Sequence, residues 1–127
     1  MKTVIVTGAS SGIGEQIAKN LDASGFKIIL IARNQERLAK ACKSLSNEAL
    51  TLPCNLADSN ELAKVINFLS PFKNDICGLI NNAGIYINNS VEETSEQNWL
   101  DLFNINMLAP ALLAKTLIPF LLSLIHI

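Results

Sequence analysis

The sequence predicts an α/β domain built on a doubly wound parallel sheet, and three observations predict it. Short apolar, β-branched runs alternate with segments of helical periodicity along the 127 residues. Those runs are apolar at successive positions rather than at every second one, as in strands covered on both faces. The first run also leads straight into a glycine-rich turn, TGASSGIG (Thr7–Gly14). With right-handed crossovers, such units wind helices onto both faces of one sheet.

The elements follow in order. TVIV (Thr3–Val6) is the first strand, ended by the turn. Ile13, Ile17, Ala18 and Leu21 then recur at helical spacing, and Gly25 closes that helix as a C-cap. KIILIA (Lys27–Ala32) is the second strand, and Asn34 opens a helix that runs to Leu45. ALTLPCNL (Ala49–Leu56) is a third strand, less pure because of Pro53. Asp58 and Ser59 cap a helix carrying Leu62, Val65, Ile66 and Leu69. DICGLINNAG (Asp75–Gly84) is a fourth strand running into a turn. Ser95–Leu122 reads as one long helix with kinks expected at Pro110 and Pro119. About four strands and four helices result, an incomplete sheet. Strand one is expected to stand exposed on the unfinished flank, leaving the chain prone to aggregate or to stay molten.

Composition narrows the class. Half the residues are hydrophobic, 17% are charged and the net charge is -1, so the chain reads as one globular domain. That balance gives no electrostatic case for nucleic acid or an anionic membrane. The run before Gly8 is too short for a signal peptide, and no stretch is expected to reach the length of a membrane span. Cys42, Cys54 and Cys77 are odd in number and share no CxxC spacing. They fit buried reduced thiols in a cytoplasmic protein, and no metal site is expected.

Chemistry concentrates at the turn. Gly8, Gly12 and Gly14 let the backbone approach a phosphate without intervening Cβ atoms, and the helix that follows aims its N–H groups and positive dipole end there. Ser10 and Ser11 add hydroxyl donors. Three glycines in a βα turn can also serve only to pack helix on strand, and a methyltransferase loop has the same look. A P-loop would need Lys and then Ser or Thr after the last glycine; Glu15 stands there. The end of strand two discriminates further. An acid at that place bonds the ribose of NAD, whereas an Arg accommodates the 2′-phosphate of NADP. Here Ala32 is followed by Arg33 and Asn34, which favours NADP(H) over NAD(H) unless Arg33 is only a solvated loop cation.

TGASSGIG, NNAG (Asn81–Gly84) and the run from Trp99 to Asn106 together resemble the classical short-chain dehydrogenase/reductase family, from Lys2 to about Leu121. The resemblance implies a Rossmann-like fold and an NADP(H)-dependent oxidoreductase working on a carbonyl or alcohol. A 3-oxoacyl thioester, a sugar, a steroid-like ring and a simple ketone all remain open as substrates. It further implies that Gly8, Ser10, Ser11, Gly12, Ile13 and Gly14 wrap the pyrophosphate. Arg33 and Asn34 take the adenosine 2′-phosphate end, and Asn55 and Leu56 fall at the adenine end. Asn82, Ala83 and Gly84 line the ribose and nicotinamide side. Asn106 matches the helix asparagine of the family's Asn-Ser-Tyr-Lys group, which supports a water in the proton relay. One departure is Asn55, where the family commonly carries Asp. The resemblance also implies pairing with a second copy through the helix 95–121.

The rest of that catalytic group is not found in the sequence. The single tyrosine, Tyr86, has Ser90 rather than Lys four residues on, so the chain is expected to be the N-terminal part of such an enzyme and inactive by itself. The alternative is a dinucleotide-binding or regulatory module without catalysis. The last six residues, LSLIHI (Leu122–Ile127), are what CTG TCT CTT ATA CAC ATC encodes, the end of a transposon adapter used in sequencing libraries. They are expected not to be native, and His126 among them is given no role.

Overall fold

A computed structural model describes residues 2–123, with side chains through Leu121. The elements are β1 (Thr3–Thr7), α1 (Gly12–Ala23), β2 (Lys27–Ala32), α2 (Gln35–Lys43), β3 (Leu50–Pro53), α3 (Ser59–Leu69), β4 (Ile76–Ile80), α4 (Glu96–Phe103) and α5 (Ala109–Ser123). A short 3-10 turn, Ser70–Phe72, leads into β4, and a π-helical segment, Asn104–Leu108, joins α4 to α5. The expectations for Leu122–Ile127 concern side chains and residues outside that description.

The four strands form one parallel sheet in the order β3-β2-β1-β4. β1 is therefore paired on both sides, and the expectation that it stands at an open flank is wrong. The edge strands are β3 and β4. The chain steps outward from β1 to β2 and β3, then returns across the sheet to lay β4 on the other side of β1. Parallel crossovers of one hand require that reversal, and the crevice it creates is where open α/β sheets bind ligands.

Both faces of the sheet are covered, as the uninterrupted apolar strands predict. Ile5, Ile29 and Ile31 point to one side, where Leu62, Val65 and Leu69 of α3 and Ala109, Leu113 and Leu117 of α5 pack on them. Val4, Val6, Ile28 and Leu30 point to the other, against Ala18 of α1 and Leu38 of α2. Burial of a large aliphatic side chain stabilises by ~1.5–3 kcal/mol, so these two layers dominate the folding energy.

The helix ends obey their sequence signals. Gly25, with φ of 95°, closes α1 in a Schellman arrangement: its N–H donates to Asp22 C=O and Phe26 N–H to Leu21 C=O. Asn34, Asp58 and Ser95 each accept a backbone N–H of the helix they precede.

Two elements are shorter than the sequence suggests. β3 stops at Pro53 and Cys54–Leu56 become loop, with Cys54 N–H making the last bond to β2 at Ala32 C=O, 2.9 Å. β4 stops at Ile80, and Asn81–Gly84 form the loop at its tip. A third expectation also fails. The helical stretch Glu96–Leu121 has 26 residues, and an 18-residue window of it has mean hydropathy 1.3, long and apolar enough to cross a membrane by length and composition. One stripe of it, Ala109, Leu113 and Leu117, is buried on the sheet.

Candidate functional site

The site lies at the C-terminal ends of β1, β2, β3 and β4. Thr7, the last residue of β1, organises its centre. The Thr7 hydroxyl accepts the N–H groups of Asn82 at 3.1 Å and Ala83 at 3.0 Å, and donates to Ile80 C=O at 3.4 Å. One buried hydroxyl thus turns the chain leaving β4 over the tip of β1. The Asn82 amide completes the tie by donating to Gly8 C=O at 3.2 Å.

Gly8 and Gly14 make this closeness possible. Gly8 has φ of 63°, and a Cβ there would come within 2.9 Å of Ala83 Cα. A Cβ on Gly14 would collide with Gly8 C=O and the Asn82 amide. A Cβ on Gly12, in contrast, would meet nothing within 4 Å, because Gly12 faces open space at the start of α1.

That helix start is chemically distinct from the others. Ser11 makes no side-chain cap bond, whereas Asn34, Asp58 and Ser95 cap α2, α3 and α4. The first-turn N–H groups of α1 therefore lack a side-chain acceptor and point, with the positive end of the helix dipole, into the space beside Gly12. An anion fits there.

Gly8, Ser10, Ser11, Arg33, Asn55, Leu56, Ala83 and Gly84 line one cleft of about 180 Å³, together with Ala32, Cys54, Ile85 and Ile105. Eight of the residues expected to touch a cofactor are thus brought together. The rest surround the cleft. Gly12 and Gly14 stand in the first turn of α1 beside it, and Asn82 ties the loop after β4 to Gly8. Ile13 stands out from the first turn of α1, 74% exposed. The Asn34 Oδ1 is taken up in capping α2 through Arg37 N–H at 3.0 Å. Arg33 is exposed and forms no ion pair among the described residues, where the one salt bridge is Lys19–Glu15. No carboxylate lines the cleft.

Asn106 sits next to the cleft in the π-helical segment. It clasps Ile85 twice, Oδ1 accepting Ile85 N–H and Nδ2 donating to Ile85 C=O, both at 2.8 Å. It also borders a second hollow of about 300 Å³, lined by Ile85, Ile87, Val91, Trp99 and Leu102 among others. Asn81 reaches the start of α5, donating to Pro110 C=O at 3.4 Å. Three residues escaped the sequence reading: Thr7, Cys54 and Ile105. Thr7 gave no signal of its own, because its partners lie on the loop after β4, more than 70 residues away. Burial, reinforced by the carboxylates of Glu61 and Asp58, pushes the Cys54 thiol up to about 11.

A parallel sheet in this strand order, with an uncapped helix over a glycine cradle at its switch point, is a Rossmann-like nucleotide-binding architecture. The chain belongs to the short chain dehydrogenase family, which it matches over residues 2–125. Ketoacyl reductase HetN of Nostoc sp. is 33% identical over 121 residues, covering 93% of this chain and 42% of its own length. Human dehydrogenase/reductase SDR family member 11 is 33% identical over 113 residues, covering 85% of this chain and 44% of its own. Among solved structures, a metagenomic short-chain oxidoreductase in complex with NADP superposes with a TM-score of 0.88 at 28% identity, over 96% of this chain and 56% of its own. A short-chain dehydrogenase from Sphingobium yanoikuyae in complex with NADPH gives 0.85 at 30% identity, over 94% of this chain and 48% of its own. The chain spans about half the length of the relatives it matches.

Proposed function

We propose that the cleft holds NADP(H), and that the chain supplies the cofactor-binding part of an oxidoreductase that interconverts a small-molecule carbonyl and alcohol. One observation carries the reading: the uncapped start of α1 and the uncommitted Arg33 guanidinium face the same cleft, which has no carboxylate. The pyrophosphate is held by first-turn N–H groups and by Ser10 and Ser11. Arg33 forks onto the 2′-phosphate, and a carboxylate that would repel it is missing from the tip of β2. The Thr7–Asn82–Ala83 tie fixes the wall along which the nicotinamide end lies. Bound there, NADP(H) would supply hydride transfer at its nicotinamide ring.

Asn106 holds Ile85 in place and so shapes the wall between cofactor and substrate sides. The apolar hollow beside it, with Trp99 and Val91, takes the substrate's hydrocarbon part. Ketone-acting relatives support that direction: a solved neighbour is the bulky-bulky ketone specific alcohol dehydrogenase of Comamonas testosteroni. The general acid and base belong to residues outside these 127, so the chain alone binds cofactor without turnover. The stripe Trp99, Phe103 and Met107, each at least half exposed, supports pairing of two copies along α4 and the π-helical segment, and the free thiols of Cys42, Cys54 and Cys77 support a cytoplasmic setting.

Titration of the reduced nicotinamide's fluorescence tests the reading. NADPH is expected to bind at least about tenfold more tightly than NADH, and Arg33→Ala to remove that preference, because a charge-assisted bond is worth ~1.5–3 kcal/mol. Equal affinities in the wild-type chain, or no binding of either, would sink it. Steady oxidation of NADPH by the chain with a ketone would overturn the separate claim that it lacks turnover.

A further inference from the structure

The cleft has two walls that come from opposite sides of the sheet. Cys54, Asn55 and Leu56 follow β3, Ala83, Gly84 and Ile85 follow β4, and β2 and β1 stand between those strands. The π-helical segment reaches both walls with three successive residues. Asn104 Nδ2 donates to Ala57 C=O at 3.2 Å, Ile105 lines the cleft, and Asn106 clasps Ile85. Ala57 is also held from its other side, because its N–H donates to Asn55 Oδ1 at 3.1 Å. An unbroken run of hydrogen bonds and peptide units leads from Asn55 on one wall to Ile85 on the other.

Two features make that run a link in its own right. Beside the Asn104 bond lies a hollow of about 170 Å³, lined by Leu56, Leu62, Leu108 and Leu112 among others, so close packing does not join the two segments there. Among the described residues, Asn104 makes the one side-chain hydrogen bond between them. At the far end, the Asn106–Ile85 clasp is exposed, so it opens by local fluctuation rather than by unfolding of the sheet. A ligand that orders one end of such a run lowers the entropy lost when the other end closes.

The NADP(H) reading, on which this inference rests, supplies that ligand: with its 2′-phosphate on Arg33, the adenosine half lies on the β3 side of the cleft. We propose that Asn104 is a positioning residue. It passes the order imposed on Cys54–Ala57 through the π-helical segment and closes the Ile85 clasp, so that cofactor binding prepares the apolar hollow beside Asn106. The probe is adenosine 2′,5′-bisphosphate, which keeps the 2′-phosphate and lacks the part that would lie along the β4 wall. Amide hydrogen exchange at Ile85 is followed by NMR with and without a saturating amount. In the wild-type chain the probe is expected to slow exchange at least about threefold; in Asn104→Ala it should bind and leave the rate within about 1.5-fold. A merely structural role would change the free and bound rates together and keep the wild-type ratio. Asn104→Asp, which keeps the size and loses the donor, should behave as Asn104→Ala and decides the matter where the alanine variant fails to fold. An unchanged Ile85 rate in the saturated wild-type chain overturns the proposal, and so does one ratio common to all three proteins. If the probe does not bind, the cofactor reading falls at Arg33 and takes this one with it; if it binds and the ratio is wrong, only the link through Asn104 falls.

Discussion

At the scale of single residues, the site depends on groups whose removal leaves partners buried or a backbone without room. Thr7→Val keeps the shape of the side chain and removes the oxygen that receives Asn82 and Ala83 N–H. Leaving such donors unpaired costs ~1–3 kcal/mol each, so the variant should lose about 2 kcal/mol in urea unfolding. An unchanged midpoint would show that water replaces the hydroxyl. Cys54 makes the opposite kind of prediction, one of inertness. Its thiol is 3% exposed and pushed up to about 11 by burial, then by Glu61 and Asp58, so little thiolate forms at neutral pH. Iodoacetamide at pH 8 should label Cys42 and Cys77 in the folded chain well before Cys54, as peptide mass mapping over time would report. Because the folded thiol holds its proton beyond the ordinary value of 9.0, its contribution to stability is complete below pH 9 and is lost as pH rises through about 11. The glycines and Arg33 were legible at this scale because spacing alone exposes them. Thr7 was not, since hydroxyl position in a strand says nothing until the partner strand is known.

At the scale of elements, two devices hold the loops that shape the cleft. The first is the π-helical segment. Ala109 N–H donates to Asn104 C=O, five residues back, and Pro110 has no N–H to offer Asn106 C=O, so the regular ladder cannot resume until α5. The widened turn presents Asn106 to Ile85. Asn106→Ala removes both clasping bonds at an exposed position, worth about 1 kcal/mol together, and should speed amide exchange at Ile85 about fivefold. Exchange unchanged at Ile85 would mean that the loop is held by other contacts. Proline in an apolar periodic run marks this break in the sequence, but whether it kinks, ends or widens the helix depends on what the freed groups meet. The second device is Asp22, whose carboxylate accepts Ser46 N–H and hydroxyl at 2.8 Å and Asn47 N–H at 2.9 Å, tying the segment before β3 to the end of α1. Those bonds, first the backbone ones from Ser46 and Asn47, hold its pKa below the usual 3.8. A lowered carboxylate stabilises above the unfolded value and loses that contribution as pH falls through the folded one. Wild type should therefore exceed Asp22→Asn in urea midpoint at pH 7 and converge on it towards pH 2. A gap that stays constant with pH would remove the charge from the explanation. Nothing in the helical pattern of α1 distinguishes Asp22 from a solvated acid, because its partners lie 24 and 25 residues away.

At the scale of the whole molecule, the apolar strands and the periodic helices of the sequence suffice to specify two covered faces, but not which strand borders open solvent. Strand order is decided by crossovers that no single segment records, and so β4, with β3 at the other end of the sheet, carries an unpaired edge while β1 does not. The difference has a measurable consequence. β1 gives its hydrogen bonds to β2 on one side and β4 on the other, and β2 pairs with β1 and β3, so amides throughout these two strands should exchange slowly. In β4, the amides directed towards β1 should share that protection, while those directed outward should exchange faster in a monomer. The free edge Ile76–Ile80 is mostly half-buried and apolar, and it carries no Lys or Pro of the kind that blunts such edges. Raising the concentration should therefore drive association, seen as a growing sedimentation coefficient, and the outward β4 amides should become protected in step with it. Association through the exposed stripe of α4 would leave those amides fast while slowing exchange around Trp99 and Phe103. Outward β4 amides that are slow at every concentration in a monomeric chain would mean that some segment of the same chain already covers the edge.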